Sequence, residues 1–409
     1  MRVLVHDYSG HPFQVQLTRE LARRGWKARH VFSAAFQTPK GNLAKQLDDP
    51  ETFSITPIVL KEEFQKNSFV KRRSQEIEQG RLVADEIAAY KPDIVISSNA
   101  PLDTQRMIWA RCAALKIPRI FWVQDVYSEA ISRFLASKSF LLNATVGAYY
   151  RNLEARMLQT SDAVVAISDG FVPILQKMGV AKDHITVIEN WAPLDELPQY
   201  PRENDWTAAN LPTDERLRIV YSGTLGLKHN PEYLLALAEA TPEALMVICS
   251  EGPAVDTLKA DPRTANLSNI LFLPWVAFAD LPKFLSGGDV LVVLLEEDAG
   301  IFSVPSKILT YCSMGQAVLG AIPADNLGAQ ILEGNKIGLT TPSQDRAGFL
   351  ANGAKLVGDA ALRQQMGANG RAYAERTFNI TAIGDRFVQI VSDHTKGDVK
   401  RFGLTGDMS

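Results

Sequence analysis

At 409 residues the chain is too long for one ordinary hydrophobic core, so two domains are expected. Its 46% hydrophobic and 22% charged residues exclude the fibrous and disordered classes and fit a soluble globular protein. A formal net charge of -3 argues against nucleic-acid binding driven by bulk charge.

Cys112, Cys249 and Cys312 lie far apart without metal-ligand spacing and read as buried thiols of a reducing compartment. "MRVLVHDYSGH" enters a strand at once and does not read as a signal peptide. No apolar run approaches a membrane span. The expected location is cytoplasmic, at most on the inner face of the plasma membrane.

In chain order, strand "RVLVHDY" precedes the amphipathic helix "PFQVQLTRELARRG", which turns Val15, Leu17, Leu21 and Ala22 inward and stops at Gly25. "KARHVFS" is a second strand. "GRLVADEIAAYK", "PDIVISS", "TQRMIWARCAALK", "RIFWVQD", "RNLEARMLQTSDAVVAIS" and "HITVIEN" continue the alternation of helix and strand. Strands that are apolar throughout call for a parallel sheet covered on both faces. The pattern lapses over "WAPLDELPQYPRENDWTAAN", which is read as a linker, 191–210. It then restarts with "LRIVYSG", "ALMVICSEG", "ILFLPWV", "DVLVVLL", "PSKILTYCSMG" and "QAVLGAI". The expectation is α/β: two Rossmann-like domains, 1–190 and 211–385, with parallel sheets facing a central cleft. Residues 386–409 would be a last helix, packed back toward the first domain, and a loose polar tail.

Three turns of the second domain carry chemistry. Gly223 and Gly226 let backbone amides approach a ligand, with Lys228 adding charge. Glu251-Gly252-Pro253 ends the next strand in the same manner. Ser306 and Lys307 stand beside Pro305 at a helix start just past the buried strand Val290 to Leu295. A capping serine and a solvated lysine would explain the last segment taken alone. Three such turns at strand C-terminal ends together make a diphosphate pocket the better reading.

The order "YSGxLG…K", "EGP", "LFLPWV…DLP", "VPSKxLxYxxxGxxV" resembles the donor domain of family 4 glycosyltransferases, which have the GT-B fold. The "VPSK" form is similar to enzymes that build colanic acid, O-antigen and other exopolysaccharides. "HDYSGHPFQVQLTRELARRGWKARHV" resembles the family's opening strand, Gly-containing loop and first helix. "FWVQDVYSEA" is similar to the subgroup's "QDLWPE" signature, and "SDAVVAISDGF" and "ITVIENW" resemble its later strands. The resemblance runs to about Phe378.

It implies a retaining, metal-independent transferase without cofactor, taking a sugar (N-acetylated or deoxy) from a UDP-sugar to a saccharide, lipid-linked in polysaccharide biosynthesis. Lys228, Lys307, the Gly223–Gly226 amides with Thr224, and the helix start at Ser306 would take the diphosphate. Glu251 and Gly252 would line the donor pocket, and Pro274 and Trp275 would meet the nucleobase through backbone groups. The loop Ser9-Gly10-His11 would face the diphosphate, while Gln124, Asp125 and Glu129 would face the sugar or acceptor. Asp125 could instead cap the following helix, but the subgroup pattern, which also supplies Glu129, favours the functional reading.

Most members of the family carry two glutamates here, the second on ribose. Those positions fall on Phe302 and Thr310, and Thr310 can hydrogen-bond a hydroxyl but brings no charge. Glu296 or Glu297 could replace the first or merely end the strand. His6 and His11 lack the companions a metal would need. "FQKNSFVKRRSQE" and "SRFLASKSFLLNATVGAYYRNLEAR" mix bases with aromatics, as a peripheral membrane contact would or as ordinary helix packing would. Rival readings are a UDP-sugar 2-epimerase of the same fold and a catalytically weak binding subunit.

Overall fold

Strands of nearly unbroken Val, Ile and Leu cannot leave either face in water, and here they form two parallel sheets flanked by helices. In the computed structural model, which describes residues 1–35, 42–65, 68–98, 100–226, 229–297 and 305–394, the chain divides into two units. The first comprises Met1–Glu189 and the chain from Ile380 onward, and the second Asn190–Asn379. Lys228, Phe302 and the tail after His394 lie outside the described residues.

The first unit holds β1 (Arg2–Asp7), β2 (Lys27–Ser33), β3 (Phe53–Ile58), β4 (Ile94–Ser98), β5 (Arg119–Val123), β6 (Ala163–Ala166) and β7 (Ile185–Val187). Their order across the sheet is β3-β2-β1-β4-β5-β6-β7, so the strand order reverses between β1 and β4. Its helices include α1 (Pro12–Arg23), α2 (Phe69–Tyr90), α3 (Leu102–Leu115), α4 (Tyr127–Ala136), the single turn α5 (Phe140–Leu142) and α6 (Ala148–Gln159).

The C-terminal helix Ile380–His394 completes this unit. Its Phe387 is fully buried with its ring 4.9 Å from that of Trp122 on β5, and its Asp385 pairs with Arg24 at 2.6 Å. Against the sequence expectation, α2 begins eleven residues before Gly80, and β3 is an added edge strand. Pro57 within β3 hid it, yet a proline is tolerated on an edge where one N–H has no ladder to join.

The second unit holds β8 (Arg218–Ser222), β9 (Leu245–Cys249), β10 (Ile270–Leu273), β11 (Val290–Leu294), β12 (Ala317–Ala321) and β13 (Gly338–Thr341), ordered β10-β9-β8-β11-β12-β13. Here the reversal lies between β8 and β11. The stretch 191–210 is ordered in this unit: Trp191 and Leu197 are buried, Arg202 pairs with Asp289, and Asn204 caps the helix Asp205–Asn210. All three cysteines are buried and free.

Candidate active site

In open parallel sheets, ligands bind beyond the strand C-termini where the strand order reverses. The predicted site residues of the first unit gather there. Asp7 ends β1 fully buried, and its carboxylate accepts the N–H groups of Ser9 (2.9 Å) and His11 and contacts the His11 ring Nδ1 at 3.2 Å. The hydrogen-bond network turns the Gln14 amide nitrogen toward the same carboxylate, at 2.7 Å, and its oxygen toward Ser98 at the end of β4.

Gly10 supports this tight loop with a φ of 80°, which costs glycine little. His11 then stands at the N-cap of α1 with Pro12 behind it. Burial alone would raise the Asp7 carboxyl, but the His11 imidazole and the Ser9 N–H hold it below its usual range. Burial likewise would lower His11, and Asp7, with a contribution from Asp125, keeps it above. Asp7 was overlooked in the sequence. Its signal was available: a carboxylate as the last residue of a buried strand, just before the Gly10 loop.

Gln124 is buried and Asp125 half-buried immediately after β5, and Glu129 is half-buried in the first turn of α4. That helix start is satisfied by Glu154, which accepts the N–H groups of Tyr127 (3.1 Å) and Ser128 (2.9 Å). Its N-cap position is Val126, with no side-chain cap. Asp125 thus carries its charge toward His11 and Tyr127, both of which feel it.

In the second unit the three turns sit at the ends of β8, β9 and the helix Ser306–Met314. Gly223 has φ 114° and Gly252 has φ 106°, with Gly252 at the N-cap of the helix Pro253–Ala260. The helix Ser306–Met314 is anchored by buried Tyr311, whose hydroxyl accepts the Ser222 N–H (3.3 Å) and donates to the Ser222 carbonyl (3.4 Å). One turn earlier on the same face, Lys307 lays its ammonium 3.9 Å from the centre of the Tyr221 ring. A Cβ added at Gly223 would stand 3.5 Å from that nitrogen, so the glycine leaves room beside the amine.

Lys307 as a residue is half-buried, yet its Nζ is shut away from water and has no hydrogen-bond partner among the described residues. Desolvation drives its pKa down to about 7. Among the described residues the buried nitrogen thus keeps its N–H groups unused, at a helix start without a side-chain cap.

Several expected contacts differ. The Gly223 N–H is taken by the Cys249 carbonyl (3.0 Å) and the Gly226 N–H by His229 Nδ1 (3.0 Å), so neither amide points at a ligand. These glycines shape the turn instead, and the Thr224 carbonyl is held by the Tyr221 hydroxyl at 2.8 Å. Glu251 accepts the Trp275 N–H at 3.1 Å, and Pro274 accepts the Cys249 thiol at 3.1 Å. The Trp275 backbone N–H is therefore occupied, while its indole N–H is buried without a partner among the described residues. Ser306 is exposed at the first helical position after Pro305 and does not cap the helix. Thr310 is half-buried on the same helix. Among the described residues no group of three or more His, Cys, Asp or Glu could hold a metal ion.

Residues 14–196 match the family model described as Glycosyltransferase Family 4. A curated relative, the colanic acid biosynthesis glycosyl transferase WcaI of Escherichia coli (strain K12), is 24% identical over 238 residues. That alignment spans 56% of this chain and 57% of WcaI, so little more than half of the relative is covered. Among solved structures, sucrose-phosphate synthase from Thermosynechococcus elongatus is similar with a TM-score of 0.72 at 16% identity, covering 96% of this chain and 98% of that one. HepE of Anabaena, in complex with UDP, is similar with a TM-score of 0.69 at 14% identity, covering 96% and 100%. The chain thus has the two-sheet α/β architecture of the GT-B fold, and its residues 14–196 are similar to the Glycosyltransferase Family 4 model.

Proposed function

We propose that the protein is a nucleotide-sugar glycosyltransferase of polysaccharide biosynthesis. It holds a UDP-sugar on the second unit and passes the sugar, with retention, to a saccharide carried on a lipid. The observation that carries this reading is the buried Lys307 side-chain nitrogen beside the Gly223 turn, without a hydrogen-bond partner among the described residues. UDP and glucose accompany HepE in one of its structures, and UDP-glucose in another. By analogy the diphosphate would lie at the start of the helix Ser306–Met314, with the indole N–H of Trp275 available to the nucleoside.

Breaking a glycosyl–phosphate bond leaves charge on the departing diphosphate. Lys307 and the helix N-terminus would stabilise that charge without a metal, and Lys228 would add to it. On the first unit, Asp125 would orient the acceptor hydroxyl or steady the positive character of the transferring sugar, with Gln124 and Glu129 nearby. His11, fixed by Asp7, would present its second ring nitrogen to the acceptor.

The test is twofold. UDP should raise the melting temperature while GDP and dTDP do not. Asp125→Asn should lower transfer by about a hundredfold at unchanged UDP affinity, the scale of positioning and acid–base effects. Protection by GDP or dTDP alone would overturn the donor assignment. Normal transfer by Asp125→Asn would remove that residue from the site, and interconversion of UDP-sugars without acceptor would make the protein an epimerase.

A further inference from the structure

The two basic–aromatic segments noted in the sequence meet in the structure. Buried Asp103 on α3 accepts Arg73 Nε of α2 at 2.9 Å and the Tyr150 hydroxyl of α6 at 2.8 Å. One turn before Arg73, Phe69 and Val70 are exposed. Beyond α4, the turn α5 is exposed as well: Phe140 at 82% and Leu141 at 73%. Phe134, on the last turns of α4, is 60% exposed with the Lys138 ammonium 5.9 Å from its ring centre.

The hairpin from α4 to α6 is built inside out for a water-facing element. Its inner side is tied by polar contacts: Arg151 donates to Ser132 Oγ at 2.6 Å and to Asn143 Oδ1 at 3.1 Å. Its outer side presents the apolar groups. A lone exposed leucine needs no explanation, but a contiguous apolar tip does. The charge on this tip says what covers it. The chain as a whole is acidic by three charges, yet between Ala130 and Leu153 there are Arg133, Lys138 and Arg151 and no Asp or Glu; with Arg151 turned inward, Arg133 and Lys138 are the cations of the tip. An apolar wedge framed by cations and free of acids complements the headgroup layer of an anionic bilayer. No helix among the described residues is long and apolar enough to cross a membrane.

We propose that the α4–α6 hairpin docks on an anionic membrane, with Phe140, Leu141 and Leu142 entering the boundary between headgroups and acyl chains and Lys138 lying against lipid phosphate. Position gives this docking a use, which rests on the glycosyltransferase reading. Asp125 lies two residues before α4, and ten helical residues span about 15 Å. A saccharide on a lipid in that bilayer would therefore enter from the side on which Asp125 waits.

The experiment is sedimentation of the full chain with vesicles of phosphatidylcholine alone or mixed with phosphatidylglycerol. The wild type should pellet with the mixed vesicles and stay in solution with the neutral ones. A Phe140→Ser/Leu141→Ser variant should partition about tenfold more weakly or worse, and Lys138→Glu more weakly as well. Both should keep wild-type melting temperature, UDP response and transfer to a water-soluble acceptor. Wild-type protein that stays in solution with anionic vesicles, or a double variant that binds them equally, overturns the proposal. So does a double variant that changes only from dimer to monomer, which would assign the tip to a second copy of the chain. A protein that binds vesicles but ignores UDP would leave the docking intact and remove the glycosyltransferase reading instead.

Discussion

Lys307 is a base whose burial favours its neutral form. Its amine is shut from water and stands over the Tyr221 ring, and burial pushes its pKa down to about 7. A base whose folded pKa is depressed weakens the ligand-free fold below that pKa, and stability recovers as pH rises from about 7 toward 10.5. A diphosphate beside it would restore the charge. UDP binding at about pH 8 should therefore take up close to one proton, read from calorimetry in buffers of different ionisation enthalpy. Well below pH 7 the uptake should vanish, and affinity should fall as pH rises above 7. In Lys307→Met both effects should disappear. Turnover should also fall by an amount equivalent to about 2–4 kcal/mol, since the charge matters most as the glycosyl bond breaks. Proton uptake that persists in the variant would assign the titration to another group.

At the scale of elements, α4 depends on a carboxylate from a different helix. Burial pushes the Glu154 carboxyl up to about 7, even though the N–H groups of Ser128 and Tyr127 pull it down. A carboxyl whose folded pKa lies above its unfolded value favours folding at low pH. Its contribution is full below about 4.5 and lost as pH rises through about 7. The melting temperature of the wild type relative to Glu154→Gln should therefore decline between about pH 5 and pH 8. A constant difference would mean that Glu154 is ionised throughout. This cap, like Tyr311, could not be read from the sequence, because each side chain serves a backbone segment far from it along the chain. The strand-and-turn grammar was legible: apolar runs marked most strands, and Gly10, Gly223 and Gly252 lie in left-handed turns at their ends. Where composition misled, the reason is local. Gly80 looked like a helix start, but it sits inside α2 where that helix crosses α3, and an added Cβ would stand 2.9 Å from Thr104 and Met107.

For the molecule as a whole, the chain's two ends build one unit and its middle builds the other. The C-terminal helix is no appendage to the first unit. Phe387 is fully buried against Trp122 of β5, the strand that leads to Gln124 and Asp125, and Gly384 packs where a Cβ would meet Glu20 and Arg24 of α1 and the residue after it. Removing that ring opens a cavity beneath β5, and Phe387→Ala should cost about 3–5 kcal/mol. The loss belongs to the first unit. Hydrogen exchange should accelerate in β1, β4 and β5 while β8, β9 and β11 keep their protection, and UDP should still slow exchange around Gly223, Gly252 and Lys307. Transfer should fall with the population of folded first unit, whereas UDP affinity should not. Equal acceleration in both sheets would show instead that the two units unfold together, and the proposed separation of acceptor-side and donor-side residues could not then be read from stability.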